Sequence, residues 1–333
     1  MEEKLRSILV TGVGGGVGQS IIKALAGSAY EIIGVDSEEL AAGLHAVPKA
    51  YKGHCASDPR FVDRLLEICI KESCGLIFAG HDVELLPLSE NAARFVSKGI
   101  VPVVSTPEIV RLCDDKLATN TFLKDHGFPV PDTSPLSKVS RFEQPVVLKP
   151  QRGGARSKNT YVARTPKDFD DYVRLVDTGN CIVQEFIEGV EYTCGSITLD
   201  NQCVGVIAMR RILRDGDTYK AFVERNPVVE SAVREIIEAL GPFGACNIQL
   251  RVRDGRPLVF EINARCSGTT AARALAGFNE PRMIADYLLQ NIKATYEIRE
   301  ISILRYWQEL VVSNERVDQL RETGFLLGDG TRL

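Results

Sequence analysis

Ala245-Cys246-Asn247-Ile248-Gln249-Leu250-Arg251-Val252-Arg253-Asp254-Gly255-Arg256-Pro257-Leu258-Val259-Phe260-Glu261-Ile262-Asn263 reads as two strands joined by a tight turn. The even positions Ile248, Leu250, Val252, Leu258, Phe260 and Ile262 are all apolar, and side chains alternate along a strand, so one face belongs to a core. The odd positions Gln249, Glu261 and Asn263 then project together from the opposite face. Both strands keep these faces only if paired residue numbers sum to an even value. That parity predicts a three-residue loop, Arg253-Asp254-Gly255, with Gly255 at positive φ. A carboxylate flanked by two carboxamides is a hard, all-oxygen set suited to Mg²⁺ bridging phosphates rather than to zinc or copper. A solvated two-sided sheet would instead carry Lys and Glu in place of Gln and Asn. Arg265, two residues further on, lies on the same side and can grip a phosphoryl group bidentately.

Upstream, Val146-Val147-Leu148 is an apolar strand that ends in Lys149 and is stopped by Pro150. Gln151 to Asn159 follows as a basic loop containing Gly153 and Gly154, which predicts a mobile flap beside a phosphate-directed lysine. Gln184-Glu185-Phe186-Ile187-Glu188-Gly189-Val190-Glu191 is a strand running into a bend. Such a segment can present main-chain groups to an adenine and a carboxylate, Glu191, to ribose hydroxyls.

The first hundred residues alternate strands and helices: Ser7 to Thr11, Gln19 to Leu25, Glu31 to Val35, Phe61 to Lys71, Leu76 to Ala79, Glu84 to Val96 and Val101 to Val104. That order implies βαβ units and a parallel sheet. Between its first strand and helix lies Thr11-Gly12-Val13-Gly14-Gly15-Gly16-Val17-Gly18, where backbone N–H groups around Gly14 and Gly15 can face an anion. Asp36, at the end of the second strand, is placed for a ribose hydroxyl. The pattern is partly that of short-chain dehydrogenases, but Val17 stands at the third glycine position and no Tyr is followed four residues later by Lys. The glycines equally suit close packing of helix on strand. From Val146 onward the pattern is strand-rich and antiparallel, with helices at Pro166 to Leu175, Val228 to Leu240 and Pro281 to Gln290.

The chain has 333 residues, 44 % hydrophobic and 25 % charged, with a net charge of −4. Two domains are expected at this length, and no basic footprint for nucleic acid is present. The longest apolar runs are strand-length, which excludes a membrane span. The charged start, Met1 to Leu9, lacks the pattern of a secretion signal. Nine scattered cysteines without a Cys-x-x-Cys pair argue against a disulfide framework and predict buried thiols in a reducing cytoplasm; four isolated histidines make a His-ligated metal improbable.

Taken together, the ordered fragments resemble the ATP-grasp superfamily, specifically its carbamoyl-phosphate-synthase-like carboxylate–amine ligase branch. They are the glycine-rich start, Asp115-Lys116 followed by Gly127-Phe128-Pro129-Val130-Pro131, Val147-Leu148-Lys149-Pro150, Gln184 to Glu191, Asn247-Ile248-Gln249 and Phe260-Glu261-Ile262-Asn263-Ala264-Arg265. The resemblance covers Leu5 to Gln290, and the layout is similar to ligases of the pyrrolysine-biosynthesis type. It implies an α/β, Rossmann-like pre-ATP-grasp domain over residues 1–110, followed by an α+β ATP-grasp domain with antiparallel sheets over 111–294. Residues 295–333 form an extension without an assigned role.

The resemblance further implies that Lys116 and Lys149 contact ATP phosphates, that Glu185 and Ile187 present main-chain groups to adenine within the segment Gln184-Glu185-Phe186-Ile187, and that Glu191 holds ribose. Gln249, Glu261 and Asn263 would hold two Mg²⁺, with Mn²⁺ able to substitute, and Arg265 would clamp the transferring phosphoryl group. Arg210, Arg211 and Lys220 flank this site and are candidates for a substrate carboxylate, although Met209 to Lys220 also reads as a charged hairpin. The expected activity is ATP-dependent ligation of a small carboxylate, such as an amino acid, to an amine through an acylphosphate, by a homodimer. An NAD(P)-dependent oxidoreductase and a non-catalytic ATP-binding regulator are the alternatives.

Overall fold

The computed structural model describes residues 6–154 and 158–333. The first unit runs β1 (Ser7–Thr11), α1 (Gly16–Leu25), β2 (Ile32–Asp36), β3 (Lys49–Lys52), α2 (Phe61–Lys71), β4 (Cys74–Phe78), α3 (Asp82–Glu90), α4 (Ala92–Val96) and β5 (Val101–Val103). α5 (Pro107–Asp114) and α6 (Lys116–Asp125) lead to β6 (Thr133–Pro135), β7 (Val146–Pro150), β8 (Tyr161–Ala163), α7 (Pro166–Val173) and β9 (Cys181–Glu185). The largest sheet follows, with β10 (Val190–Leu199), β11 (Gln202–Arg214), β12 (Asp217–Val223), α8 (Pro227–Leu240), β13 (Gly244–Arg253) and β14 (Arg256–Asn263). The chain closes with α9 (Thr270–Leu275), α10 (Glu280–Gln290), β15 (Ser302–Leu304), α11 (Asn314–Thr323) and β16 (Phe325–Leu327).

Three sheets result. One has the order β16-β3-β2-β1-β4-β5, parallel except for β16. The second, β14-β13-β10-β11-β12-β15, and the third, β6-β9-β7-β8, are antiparallel throughout. This is the expected α/β unit followed by an α+β unit. The tail beyond residue 294 has a definite place in it: β15 extends the second sheet beside β12, and β16 returns to pair with β3.

Two differences from the sequence reading have local causes. The single helix expected over Glu84 to Val96 is two, because Pro87 interrupts the backbone ladder and the Asn91 amide takes the Pro87 carbonyl at 2.9 Å. β3, only four residues long and flanked by lysines, carries too little pattern to be found without its neighbours. The expected buried thiols are present: all nine cysteines are free and eight are buried, Cys55 being the exposed one. Among the described residues no helix is long and apolar enough to cross a membrane.

Candidate functional site

The hairpin β13–β14 carries the site, and its register differs from the one parity predicts. Arg253 pairs with Arg256, so the turn is the two-residue Asp254-Gly255, with both at positive φ (51° and 74°). A two-residue turn alone would put Gln249 and Glu261 on opposite faces. The register, however, slips between Gln249, which faces Glu261, and Leu250, which faces Val259, leaving Phe260 as the bulged residue. The expected three-residue loop is therefore corrected: the extra residue sits in the strand instead, so Gln249, Glu261 and Asn263 share a face as expected, while Val259, and not Leu258 or Phe260, joins Leu250 on the core face. The bulge also turns a backbone group to use. The Phe260 carbonyl accepts a hydrogen bond from Lys149 Nζ at 3.3 Å, and the ammonium lies 5.3 Å from the Phe260 ring centroid.

Lys149 is 6 % exposed at the end of β7. Burial pushes its ammonium down to about 8, with Glu261 and Glu191 opposing that shift and Lys116 adding to it. Lys116 opens α6 behind the cap Asp115, and its Nζ donates to the Gly153 carbonyl at 2.8 Å. Gly153 and Gly154 both take positive φ (68° and 81°). The Lys116 N–H bonds the Gln151 carbonyl, and Arg152 reaches Asp115, so the start of the expected flap is stitched to α6. Residues 155–157 of that flap lie outside the described residues, as does Leu5, where the resemblance begins, with the rest of the charged start 1–5.

On the polar face, Gln249 stands opposite Glu261, and Asn263 Nδ2 donates to Glu261 Oε1 at 3.1 Å. Arg211 joins two elements: its Nε donates to Glu191 at 2.9 Å and its Nη2 to Gln249 Oε1 at 2.9 Å. Arg251 takes the other oxygen of Glu191 at 2.6 Å and donates to the Ile187 carbonyl at 2.7 Å. Glu191 is thus held between two guanidiniums. Of the three cationic substrate candidates only Arg211 faces the site. Arg210 and Lys220 alternate to the opposite face: Arg210 stacks 4.1 Å over Phe222 and reaches Glu224, and Lys220 pairs with Ile212 and lies beside the Tyr219 ring. The proximity expected for those two is corrected accordingly.

The 184–187 segment runs past the turn end of the hairpin. The Glu185 carboxylate pairs with Arg253, its N–H donates to the Asp132 carbonyl at 2.7 Å, and the Phe186 ring is flanked by Arg164 at 4.5 Å and Arg251 at 5.0 Å. Ile187 is buried. Gln184 is buried between sheet strands, donating to Thr133 at 2.9 Å.

Arg265 connects the two units. Its Nε and Nη2 grip both oxygens of Asp82 at 2.6 and 3.0 Å, and Nη1 donates to the Cys266 carbonyl at 2.9 Å. Burial alone would raise the Asp82 carboxyl; Arg265 beside it brings it below its usual range. Asp82 starts α3, two residues before Glu84, whose buried carboxylate accepts from Thr11 Oγ1 at 2.6 Å and from the N–H groups of Gly80 and His81 at 3.1 and 3.0 Å. Sequence reasoning missed Asp82 because nothing in a lone acid after a strand marks its partner 183 residues away. It also missed the fully buried pair Arg273–Glu280, 2.7 Å apart beneath Asn247 and Thr193.

The glycine turn is closed on itself. The Gly14 N–H donates to Asp36 Oδ2 at 2.8 Å, so the carboxylate expected on a ribose instead pins the loop. Gly15 caps α1, and a Cβ on Gly18 would lie 2.3 Å from the Gly12 carbonyl oxygen, so that glycine serves close packing.

Among the described residues no three His, Cys, Asp or Glu side chains cluster as metal ligands. Glu261 with Gln249 and Asn263 is a one-carboxylate oxygen set, which fits Mg²⁺ completed by phosphate oxygens rather than an ion held by protein alone.

Residues 113–269, which carry both the strand lysine and the hairpin, match the ATP-grasp domain family. Residues 8–104 match the PylC-like N-terminal domain. The chain thus carries an ATP-grasp domain preceded by a PylC-like N-terminal domain. It is 26 % identical over 232 residues to the carbamoyl-phosphate synthase of Methanobrevibacter smithii, covering 63 % of this chain and 62 % of that one. It is 23 % identical over 192 residues to the N5-carboxyaminoimidazole ribonucleotide synthase of Aquifex aeolicus, covering 50 % of this chain and 49 % of that one. The chain therefore spans less than two thirds of the length of these relatives. Among solved structures it resembles the L-amino acid ligase of Bacillus licheniformis (TM-score 0.68, 15 % identity, 90 % of this chain and 79 % of that one). It is also similar to N5-carboxyaminoimidazole synthetase of Staphylococcus aureus with ADP (TM-score 0.69, 16 % identity, 89 % and 81 %).

Proposed function

We propose that this chain is an ATP-dependent carboxylate–amine ligase of the cytoplasm that works through an acylphosphate and releases ADP and phosphate. The observation that carries the reading is the buried Lys149 beside Glu261, on a sheet face shared with Gln249, Asn263, Glu191 and Arg211. A carboxylate oxygen is a poor leaving group, so joining an acid to an amine requires prior activation. The substrate carboxylate attacks the γ-phosphorus and the β–γ bridging oxygen departs with ADP. The amine then attacks the acyl carbon, loses a proton and expels phosphate. Lys149 and Lys116 neutralise phosphate charge, and Arg211 is the cation on this face placed for a substrate carboxylate.

Glu261, Gln249 and Asn263 are the residues that would hold Mg²⁺, as one ion or two and with Mn²⁺ able to substitute; the metal supplies neutralisation of β- and γ-phosphate charge. Gln249 must then release Arg211, and Arg265 must exchange Asp82 for the phosphoryl group. Both rearrangements are part of the proposal. The named neighbours include an amino acid ligase, which favours amino acids as acid or amine. The pinned Asp36 counts against a nicotinamide cofactor at the glycine turn, and the intact oxygen set counts against a regulator that only binds ATP.

The test is isotopic. With pooled candidate acids labelled with ¹⁸O in the carboxylate, ADP should form and label should appear in phosphate. AMP with pyrophosphate, or unlabelled phosphate, contradicts the acylphosphate route.

A further inference from the structure

The second sheet ends on β15, and the chain beyond it is unusually apolar for a surface. Leu304 is 66 % exposed, Tyr306 82 %, Val311 92 %, and Trp307, the only tryptophan in the chain, 87 %. An exposed edge strand beside such a patch is a template for pairing, and proteins that stay monomeric blunt such edges. Here the hydrogen-bonding parity leaves a definite half of the backbone free to pair. Val223 N–H donates to the Ile301 carbonyl at 2.9 Å and Arg305 N–H to the Tyr219 carbonyl at 3.1 Å, so the odd residues face β12. In an antiparallel ladder the alternate residues, Ser302 and Leu304, then direct N–H and C=O outward.

We propose that β15 pairs antiparallel with β15 of a second copy of this chain about a two-fold axis through Leu304, joining two six-stranded sheets. The segment is self-complementary in that register, in which paired numbers sum to 608. Leu304 meets Leu304, Ser302 meets Tyr306, Ile301 meets Trp307 and Arg299 meets Glu309, the last three twice over. Ile301 and Ile303 lie on the half-buried side that packs against the core, so Trp307 of each copy covers apolar surface of the other. The opposite charges fall at the two ends of the ladder, where Arg299, whose Nη2 donates to the Leu275 carbonyl of its own chain at 2.5 Å, keeps a charge that sets register. A closed, isologous pair of this kind uses up the β15 edge of both copies. This inference is independent of the chemistry proposed above.

The experiment is sedimentation velocity of the full chain over a concentration series, with Trp307 emission followed in parallel. The wild type is expected to form dimers, with a blue shift of Trp307 emission that tracks association. Leu304→Pro removes an outward donor together with the Leu304 side chain, leaves the bonds to β12 in place, and should raise the dimer dissociation constant by about tenfold or more, because the two-fold doubles the loss. Arg299→Glu should weaken the dimer by opposing like charges, and Arg299→Glu combined with Glu309→Arg should restore it; circular dichroism checks that each variant is folded. A chain that stays monomeric with fixed Trp307 emission overturns the proposal, including if a different protein is found on this edge. So does a dimer that Leu304→Pro and the charge reversals leave unchanged.

Discussion

The glycine turn at Thr11 to Gly18 and the polar face of β13–β14 both carry residue types that hold phosphate, yet they are finished differently. In the turn, the amide that would receive an anion already has one: Gly14 N–H is bound to Asp36. On the hairpin the acceptors and cations are engaged with one another, Arg211 to Gln249 and Glu191 and Lys149 to Phe260 across elements, and Asn263 to Glu261 within β14. A carboxylate anchored on backbone N–H groups, those of Gly14 and Glu38, makes a rigid corner. Side chains paired with one another can exchange those contacts for the ones of an incoming ligand. Residue type alone does not separate these cases; the partner does.

The largest effect expected from this contrast is at Glu261. Glu261→Gln should lower turnover by about 10³-fold or more with the fold intact, since one charge is removed from a set that has a single carboxylate. Steady-state ADP release and circular dichroism check it. Wild-type turnover at ordinary Mg²⁺ would remove the distinction between the two regions.

Lys149 gives the pH-dependent form of the same contrast. Its folded-state value, about 8, lies below the ordinary 10.5, so between those values the unfolded chain binds more protons. Stability from this group therefore rises as pH goes from about 8 toward 10.5. Nucleotide affinity, which uses the charged form, should run the other way and fall by up to about tenfold per pH unit above 8. Lys149→Arg should flatten that dependence in a fluorescence titration.

Beneath the glycine turn, burial raises Glu84 to about 7 from 4.5. The native chain then holds a proton that the unfolded chain loses, so stability falls as pH rises from about 4.5 to 7, by up to about 3 kcal/mol. Glu84→Gln should remove that slope in thermal unfolding while leaving nucleotide affinity above pH 8 unchanged.

How much of this was legible in the sequence follows the same line. The alternation of apolar residues placed Gln249, Glu261 and Asn263 on one face, and the strand–helix rhythm placed the parallel sheet. The location of the extra residue was not legible, because parity fixes only that one residue is surplus between Gln249 and Glu261. Asp254 and Gly255 both accept left-handed backbone, so a two-residue turn was open, and the bulge moved to Phe260. Arg210 and Lys220 were misplaced for want of the register of β11 on β12; once Arg211 pairs with Ala221, its neighbours must point away. Asp82 and the Arg273–Glu280 pair depend on contacts between distant segments, which composition and spacing do not encode.

The smallest effect is expected at the turn itself. Asp36→Ala frees the N–H groups of Gly14 and Glu38 and should cost about 1–2 kcal/mol of stability in urea unfolding.

Nucleotide and metal are expected to meet on the hairpin face and not at the glycine turn. Calorimetric titration with ATP, with and without Mg²⁺, tests it on wild type, Glu261→Gln and Asp36→Ala side by side. Mg²⁺-dependent affinity is expected in wild type and Asp36→Ala, and loss of the Mg²⁺ dependence in Glu261→Gln. Mg²⁺-dependent binding that survives in Glu261→Gln and disappears in Asp36→Ala would contradict it.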